Sequence, residues 1–459
     1  MKKIRFMLFA LLAMLYATNA SALIKGNKFT KNGITYEVTF MDAAHDGLPD
    51  RYEAKFVSSN LSGALTIPST VKDENNQYTF NVTAIDANST VPNATSVSIP
   101  NSVTTINANA FKGNNITSIT IPSTVTDIKD GAFSQMKGLT SINVESGSAK
   151  YSATDGVLYE NKSEGKFLIS YPVAKQGTAY GVGGEEFTVP EGVVGIATNG
   201  FQCAATLTRI NLPTTLTQLP TTNEANGFTS VTNLKEIKVA SGNTAFKDID
   251  GVVVTSDGKK LIAYPNNKGG IVDANYDAPT SIDPTHAKAK GNYYEIPAGV
   301  ETIAKGAFAQ VQTITAVKLK DVKKIEEGAF YSVRNLRNIE ISASVQEIAD
   351  GAISGNPDLL DFKVDAGNPY YAADAEGVVY TKDFSELVLY PSGRTGEYTT
   401  HPNTKKIRNR AFYYAQKLTK ITFNSGLEEI GNDVFQGAAS LKEIEYEPTA
   451  TLKKIGTFA

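Results

Sequence analysis

Apolar residues along the chain return in a fixed order: an Ile, a Phe five residues later, then a Leu or Ile and two alternating apolar positions before the cycle restarts. The clear copies run Ile106 to Phe111, Ile128 to Phe133, Ile303 to Phe308, Ile325 to Phe330, Ile407 to Phe412 and Ile430 to Phe435, usually with Ala before the Phe. Ile196 to Phe201 fits with Gly200 in the Ala position. Successive Phe residues lie 22 apart (Phe111 to Phe133, Phe308 to Phe330) or 23 apart (Phe412 to Phe435). A single copy cannot bury its own apolar face, so this period predicts stacked coils that share one continuous core.

Each copy splits into two short pieces. One alternates, as in Leu139, Ile142, Val144; Leu234, Ile237, Val239; Leu336, Ile339, Ile341; and Leu418, Ile421, Phe423. Alternation with period two predicts a strand buried on one face. A recurring Ile-Pro follows it (Ile67-Pro68, Ile99-Pro100, Ile121-Pro122, Ile296-Pro297). Proline has no N–H to donate to a ladder, so it is expected where the chain leaves the sheet.

Three segments interrupt the repeats near 147–172, 242–265 and 367–391, and they resemble one another. Asp155-Gly156-Val157-Leu158-Tyr159 precedes a Tyr171-Pro172, Asp250-Gly251-Val252-Val253-Val254 a Tyr264-Pro265, and Glu376-Gly377-Val378-Val379-Tyr380 a Tyr390-Pro391. Two short apolar runs around a polar turn predict a β-hairpin in each. After the second, a polar stretch around Asp273 to Tyr293 with Pro279, Pro284 and Gly291 is expected to be a surface loop.

The fold class is therefore a mainly β solenoid of coils of about 22–23 residues with parallel strands and inserted hairpins. Residues 23–84 are irregular, carry a strand at Ile34 to Val38, and are expected to be an N-terminal β cap over the open core. The solenoid follows from 85 to 459. Leu452 and Ile455 begin another copy whose Phe would fall at 460, so the chain is expected to be cut in mid-repeat at 459.

Residues 1–22 have the form of a signal peptide: Lys2, Lys3 and Arg5, an apolar run from Phe6 to Tyr16, and Ala20-Ser21-Ala22 as a small-x-small cleavage site. No later stretch is apolar enough for a transmembrane span, so export to the cell surface or the medium is expected. Removal of that segment leaves a formal charge of −6, without basic blocks, which argues against nucleic acid as a partner. The lone Cys203 permits no internal disulfide and is read as a buried, inert thiol near the Phe201 corner.

Four linked features carry a resemblance: the Ala-Phe corner, the Leu-x-x-Ile-x-Val strand, the Ile-Pro turn, and the hairpin with its closing Tyr-Pro. Together, over roughly residues 60–459, the chain resembles the BspA-like leucine-rich repeat family of surface and secreted proteins of host-associated bacteria. The resemblance implies a right-handed leucine-rich-repeat solenoid and a role in adhesion, host matrix protein binding or cell aggregation. It implies no enzymatic activity and brings no fixed set of functional residues.

The chain's own residues point the same way. His45, His286 and His401 stand in unrelated contexts, without the spacing of metal ligands. Asp248-Ile249-Asp250-Gly251 opens like a calcium loop, but its twelfth position is Lys259 instead of Glu, so it is read as a hairpin turn. Gly181-Val182-Gly183-Gly184 lacks the Lys-Ser/Thr of a P-loop, and no Gly-x-Ser-x-Gly elbow occurs. No catalytic residue, metal or cofactor is expected.

What remains is the outward face of the strands: Ser118, Thr120, Ser141 and Asn143, then Glu236, Lys238, Lys318, Glu340, Asp361, Lys363 and Lys420, with Glu443 and Glu445 beyond. This run of polar side chains is the candidate recognition face for a protein ligand, such as a host matrix or cell-surface protein, or for a glycan. The alternative readings are a carbohydrate-binding module and a structural surface protein. The absence of Trp, and the placing of Tyr159, Tyr171, Tyr264, Tyr380 and Tyr390 at hairpin positions, weigh against an exposed sugar-binding platform.

Overall fold

A computed structural model describes residues 23–42, 51–113, 115–180, 184–278, 289–447 and 452–459, with backbone alone for 180, 271–278 and 289–291. The expected signal peptide, His45, His286 and Gly181 to Gly183 lie outside these residues. The described chain is built of β-strands and turns and, among the described residues, has no helix. It divides into two units, 1–139 with 144–149, and 140–143 with 150–459.

In the first unit, Lys28–Lys31, Ile34–Asp42 and Arg51–Ser59 form an antiparallel meander. Its last strand then pairs in parallel with Thr79–Thr90, which in turn pairs with Thr105–Ile106, and that with Asp127–Ile128. The residues expected to cap the stack are thus ordered like the hairpin insertions. In the second unit Tyr151–Thr154, Val157–Lys162 and Gly165–Ser170 form such a meander, and its last strand pairs in parallel with Val193–Ile196. Phe246–Ile249, Val252–Thr255 and Lys260–Ala263 do the same ahead of Thr302–Ile303, as do Tyr371–Ala373, Val379–Thr381 and Glu386–Leu389 ahead of Lys406–Ile407. Each meander starts a module, and the coils after it continue the same sheet in parallel.

The corner rings follow this modular order. In the second unit the Tyr of each Tyr-Pro is the first rung and the corner Phe residues are the next. Tyr264 stacks on Phe308 at 4.9 Å between ring centroids and Phe308 on Phe330 at 4.7 Å; Tyr390 lies 4.6 Å from Phe412, and Phe412 lies 5.3 Å from Phe435. Tyr171, Phe201 and Phe228 repeat the arrangement at 5.6 and 5.9 Å. In two of these ladders the leading Tyr hydroxyl donates to a loop carbonyl, Lys175 from Tyr171 and Gly269 from Tyr264, which a Phe could not do. Burial pushes the Tyr390 hydroxyl pKa up to about 12, so the ring stays neutral.

The Ile-Pro step does what a missing N–H dictates. The carbonyls of Pro100, Pro122, Pro190, Pro213 and Pro297 each accept from the N–H three residues on, closing a β-turn that carries the chain off the sheet. The stretch around Asp273 to Tyr293, expected to be a surface loop, instead contains Ile271–Ala278 paired antiparallel with Ala289–Glu295, which pairs in parallel with Ala316–Leu319. The edge of that last strand would otherwise stay unpaired, and this outweighs the polar composition of the segment.

Two asparagines, unremarked in the sequence, hold the entry to two meanders. The Asn368 amide donates to the Ser342 and Val345 carbonyls, and its oxygen accepts from the Tyr370 and Tyr371 N–H groups. Asn243 repeats the pattern with Pro213, Leu216, Ala245 and Phe246. Asn368 is fully buried, so Asn368→Ala should leave several backbone groups unpaired and cost about 2–4 kcal/mol, read as a lowered denaturation midpoint. Asn368→Asp, which keeps the acceptor and loses the donor, should also destabilise.

The meander turns carry a second polar device. Asp383 accepts hydrogen bonds from the Thr381 hydroxyl and from the Ser385 hydroxyl and N–H, which hold its carboxyl down at about 2. A depressed folded pKa stabilises above the unfolded value near 4, and that contribution fades as the pH falls from about 4 to about 2. Wild type should therefore melt above Asp383→Asn at neutral pH, and the two curves should converge as the pH nears 2. A gap that stays constant across that range would contradict the assignment.

Candidate recognition face

The outward strand positions are set by register. Each alternating strand pairs in parallel with its counterpart one coil on, so equivalent residues stand side by side. In the second unit this register lines charges of opposite sign against each other. Glu186, Arg209 and Glu236 are neighbours across three strands. Glu295, Lys318, Glu340 and Lys363 are neighbours across four, and Glu397, Lys420 and Glu443 across three. Cross-strand opposite charges each stabilise a sheet by a fraction of a kcal/mol, whereas like charges oppose it. Glu186, Arg209, Glu295 and Glu397 were not among the residues singled out from the sequence. The signal that would find them is equivalence of position one period apart.

The predicted residues meet different fates. In the first unit Ser118 and Thr120 are exposed on Ser118–Ile121. In the second, Asn143 is exposed and Ser141 half-buried. Ser141, Glu236 and Asp361 each lie under a meander turn: a Cβ added at Gly156, Gly251 or Gly377 would stand 2.7–2.8 Å from the Ser141 Oγ, Glu236 Cβ or Asp361 Cβ. In the first two turns both central residues have positive φ (Asp155 49°, Gly156 72°; Asp250 48°, Gly251 73°), the type I′ geometry. The following strand residues donate to the turn carbonyls, Ile142 to Gly156, Ile237 to Gly251 and Phe362 to Gly377. Each Asp-Gly or Glu-Gly turn therefore closes the edge of one ladder.

Glu236 and Lys238 are held by local charge pairs. Glu236 takes the Arg209 guanidinium, with Nε at 2.5 Å, and Lys238 binds Asp248 at 3.1 Å. Burial pushes the Asp248 carboxyl up, but the Val239 and Gly251 N–H groups and Lys238 outweigh it and hold the pKa below the usual value. That network accounts for the motif that opens like a calcium loop. Asp361 accepts from Asn338 at 2.6 Å, and Lys420 is paired with Glu445 at 2.9 Å and Glu443 at 3.6 Å.

Lys318, Glu340 and Lys363 come together. With Glu295, Lys320 and Asp365 they line a cleft of 620 Å³ on the four-stranded ladder. Lys318 sits over the Tyr293 ring at 4.1 Å, and Lys320 pairs with Glu295 at 3.4 Å. Three ammonium groups and three carboxylates in fixed register give a balanced, patterned surface. Among the described residues no group of three or more His, Cys, Asp or Glu side chains converges as metal ligands. His401 stacks on Phe384 at 4.3 Å, and its Nδ1 accepts the Asn403 N–H.

The ladder closed by the Gly251 turn can be tested on its own. Arg209 is flanked by Glu186 and Glu236 and is largely buried. Arg209→Ala should destabilise by about 1 kcal/mol and leave the carboxylates on the two flanking strands without their shared cation. Thermal melts should show the loss shrinking at high salt, where the remaining repulsion is screened.

The family model described as BspA type leucine rich repeat region matches in six copies over residues 83–164, 180–250, 286–372 and 393–459. No curated protein matches the chain. Among solved structures, a leucine-rich repeat protein from Eubacterium ventriosum is 18% identical, covering 94% of this chain and 93% of its own, with a TM-score of 0.43. A leucine rich cell surface protein from Faecalibacterium prausnitzii is 17% identical over 94% and 99%, with a TM-score of 0.33. The pneumococcal vaccine antigen PcpA is 16% identical over 94% and 78%, with a TM-score of 0.29.

Proposed function

Because the chain belongs to the BspA-type leucine-rich repeat family, we propose that it is an exported, non-catalytic binding protein that attaches to proteins of a host or of neighbouring cells through its strand face. The observation that carries this reading is the 620 Å³ cleft on the Glu295, Lys318, Glu340, Lys363 ladder. A rigid sheet with alternating charges in register favours a partner surface of complementary pattern, and such complementarity governs specificity and encounter rate more than raw affinity. The carboxylates of the cleft stand beside ammonium groups that neutralise them, which suits recognition better than acid–base chemistry. Export is supported by the basic start, apolar run and Ala20-Ser21-Ala22 site of residues 1–22.

The test is saturable binding of the purified protein to immobilised extracellular matrix proteins at low and high salt. Wild type should bind one of them and weaken as salt rises. The Lys318→Ala, Lys320→Ala, Lys363→Ala triple variant should lose about tenfold or more in affinity while melting like wild type. Unchanged binding by the folded triple variant would remove this cleft as the site, and silence of the folded wild type across the panel would remove the protein-adhesion reading.

A further inference from the structure

A second cleft, of 560 Å³, lies along the corner turns of the second unit and has different chemistry from the strand face. Its walls include Tyr331, Tyr414, Gln310, Gln312, Gln416 and Arg334. We propose that this cleft is a saccharide-binding site that takes a short oligosaccharide.

The residues are brought together by the fold from well-separated parts of the chain. The position two residues after each corner residue takes a left-handed backbone: Gln310 after Phe308 (φ 59°), Ser332 after Phe330 (55°), Gly355 after Ile353 (69°) and Tyr414 after Phe412 (56°). The same slot holds Cys203, Ser230 and Gly437 in other coils, so the conformation belongs to the corner and the side chain is the variable part. Glycine fills this slot at least strain. A tyrosine there that is 39% exposed is not required by the corner's own packing. The Tyr414 ring lies against Gly437 of the next coil, where an added Cβ would stand 2.9 Å from Cγ, and 4.8 Å from the Tyr413 ring, so its orientation is fixed.

The lining fits sugar better than peptide or anion. Three glutamine amides each donate and accept, as sugar hydroxyls do, while the tyrosine rings offer apolar faces and O–H groups for the C–H faces and hydroxyls of a pyranose. Gln310 Oε1 accepts the Ser230 hydroxyl at 3.2 Å, which anchors that amide. No carboxylate lines the cleft, and Arg334 is its one charged group, in contrast to the six charges of the strand cleft. The volume lies within the usual range for small-molecule sites, about 300–1,000 Å³. An aromatic pair that the sequence did not reveal, exposed Tyr414 and half-buried Tyr331, is therefore assembled here from positions 83 apart.

The chain has no Trp, so Tyr414→Trp places a single reporter in the cleft. Its emission should shift and saturate when gluco-, manno- or galacto-oligosaccharides are added to the purified protein. Calorimetry on the best of these should show Tyr331→Ala and Tyr414→Ala weakening binding at least about tenfold, and Tyr414→Phe, which keeps the ring, losing much less. The Lys318, Lys320, Lys363 triple variant should bind the same sugar as wild type does, which separates this site from the strand face. The proposal is overturned if no oligosaccharide binds the folded wild type, if binding is indifferent to both alanine variants, or if the cleft takes a peptide and not a sugar.

Discussion

A coil of 22 or 23 residues has too little apolar surface to fold alone, so its corner ring is buried only because the next coil supplies another ring about 5 Å away. Everything else in the second unit follows from that stacking. Rings held at one corner fix the phase of each coil, and the phase fixes the register of the strands. Register in turn decides which outward side chains become neighbours. An interruption in the ring ladder would therefore be felt on the strand face, several residues away in sequence from any Phe.

The meanders solve the problem this creates. A parallel ladder leaves an open edge at each end, and an open edge invites pairing with another chain. Here each type I′ or Gly-containing turn folds over the last strand of a ladder, with Gly251 against Glu236 and Gly377 against Asp361. The same meander then offers Tyr264 or Tyr390 as the first rung of the next ring ladder. One insertion thus ends one ladder and nucleates another. The strand face is thereby segmented: Ser141, Glu236 and Asp361 lie under the turns that close the ladders, while outward positions such as Lys318, Glu340 and Lys363 stay open.

The period, the strands, the Pro turns and the hairpins were legible because each is a local pattern repeated many times, and repetition averages out exceptions. The ends of that legibility are also physical. Whether the segment after Pro265 forms strands depended on an available edge at Ala316–Leu319, which no window of its own sequence contains. The alternating charge ladders require knowing which residues are one coil apart, so Glu186, Arg209 and Glu295 were invisible when each strand was read alone. Asn243 and Asn368 look like ordinary turn residues until their amides are seen to bridge carbonyls more than twenty residues back.

The strand cleft and the corner cleft differ in what the fold demands of them. On the strands, a charge must oppose the charge on the next coil or destabilise the sheet, so composition there is constrained by stability before it is available for recognition. At the corners, the left-handed slot asks only for a residue that tolerates positive φ, and its side chain leaves the core. Change at that slot is therefore nearly decoupled from the ring ladder two residues away. A solenoid that must keep Phe308, Phe330 and Phe412 in phase can still vary Gln310, Ser332 and Tyr414 with little penalty to the core. Binding chemistry can thus diversify at the corners more freely than on the sheet.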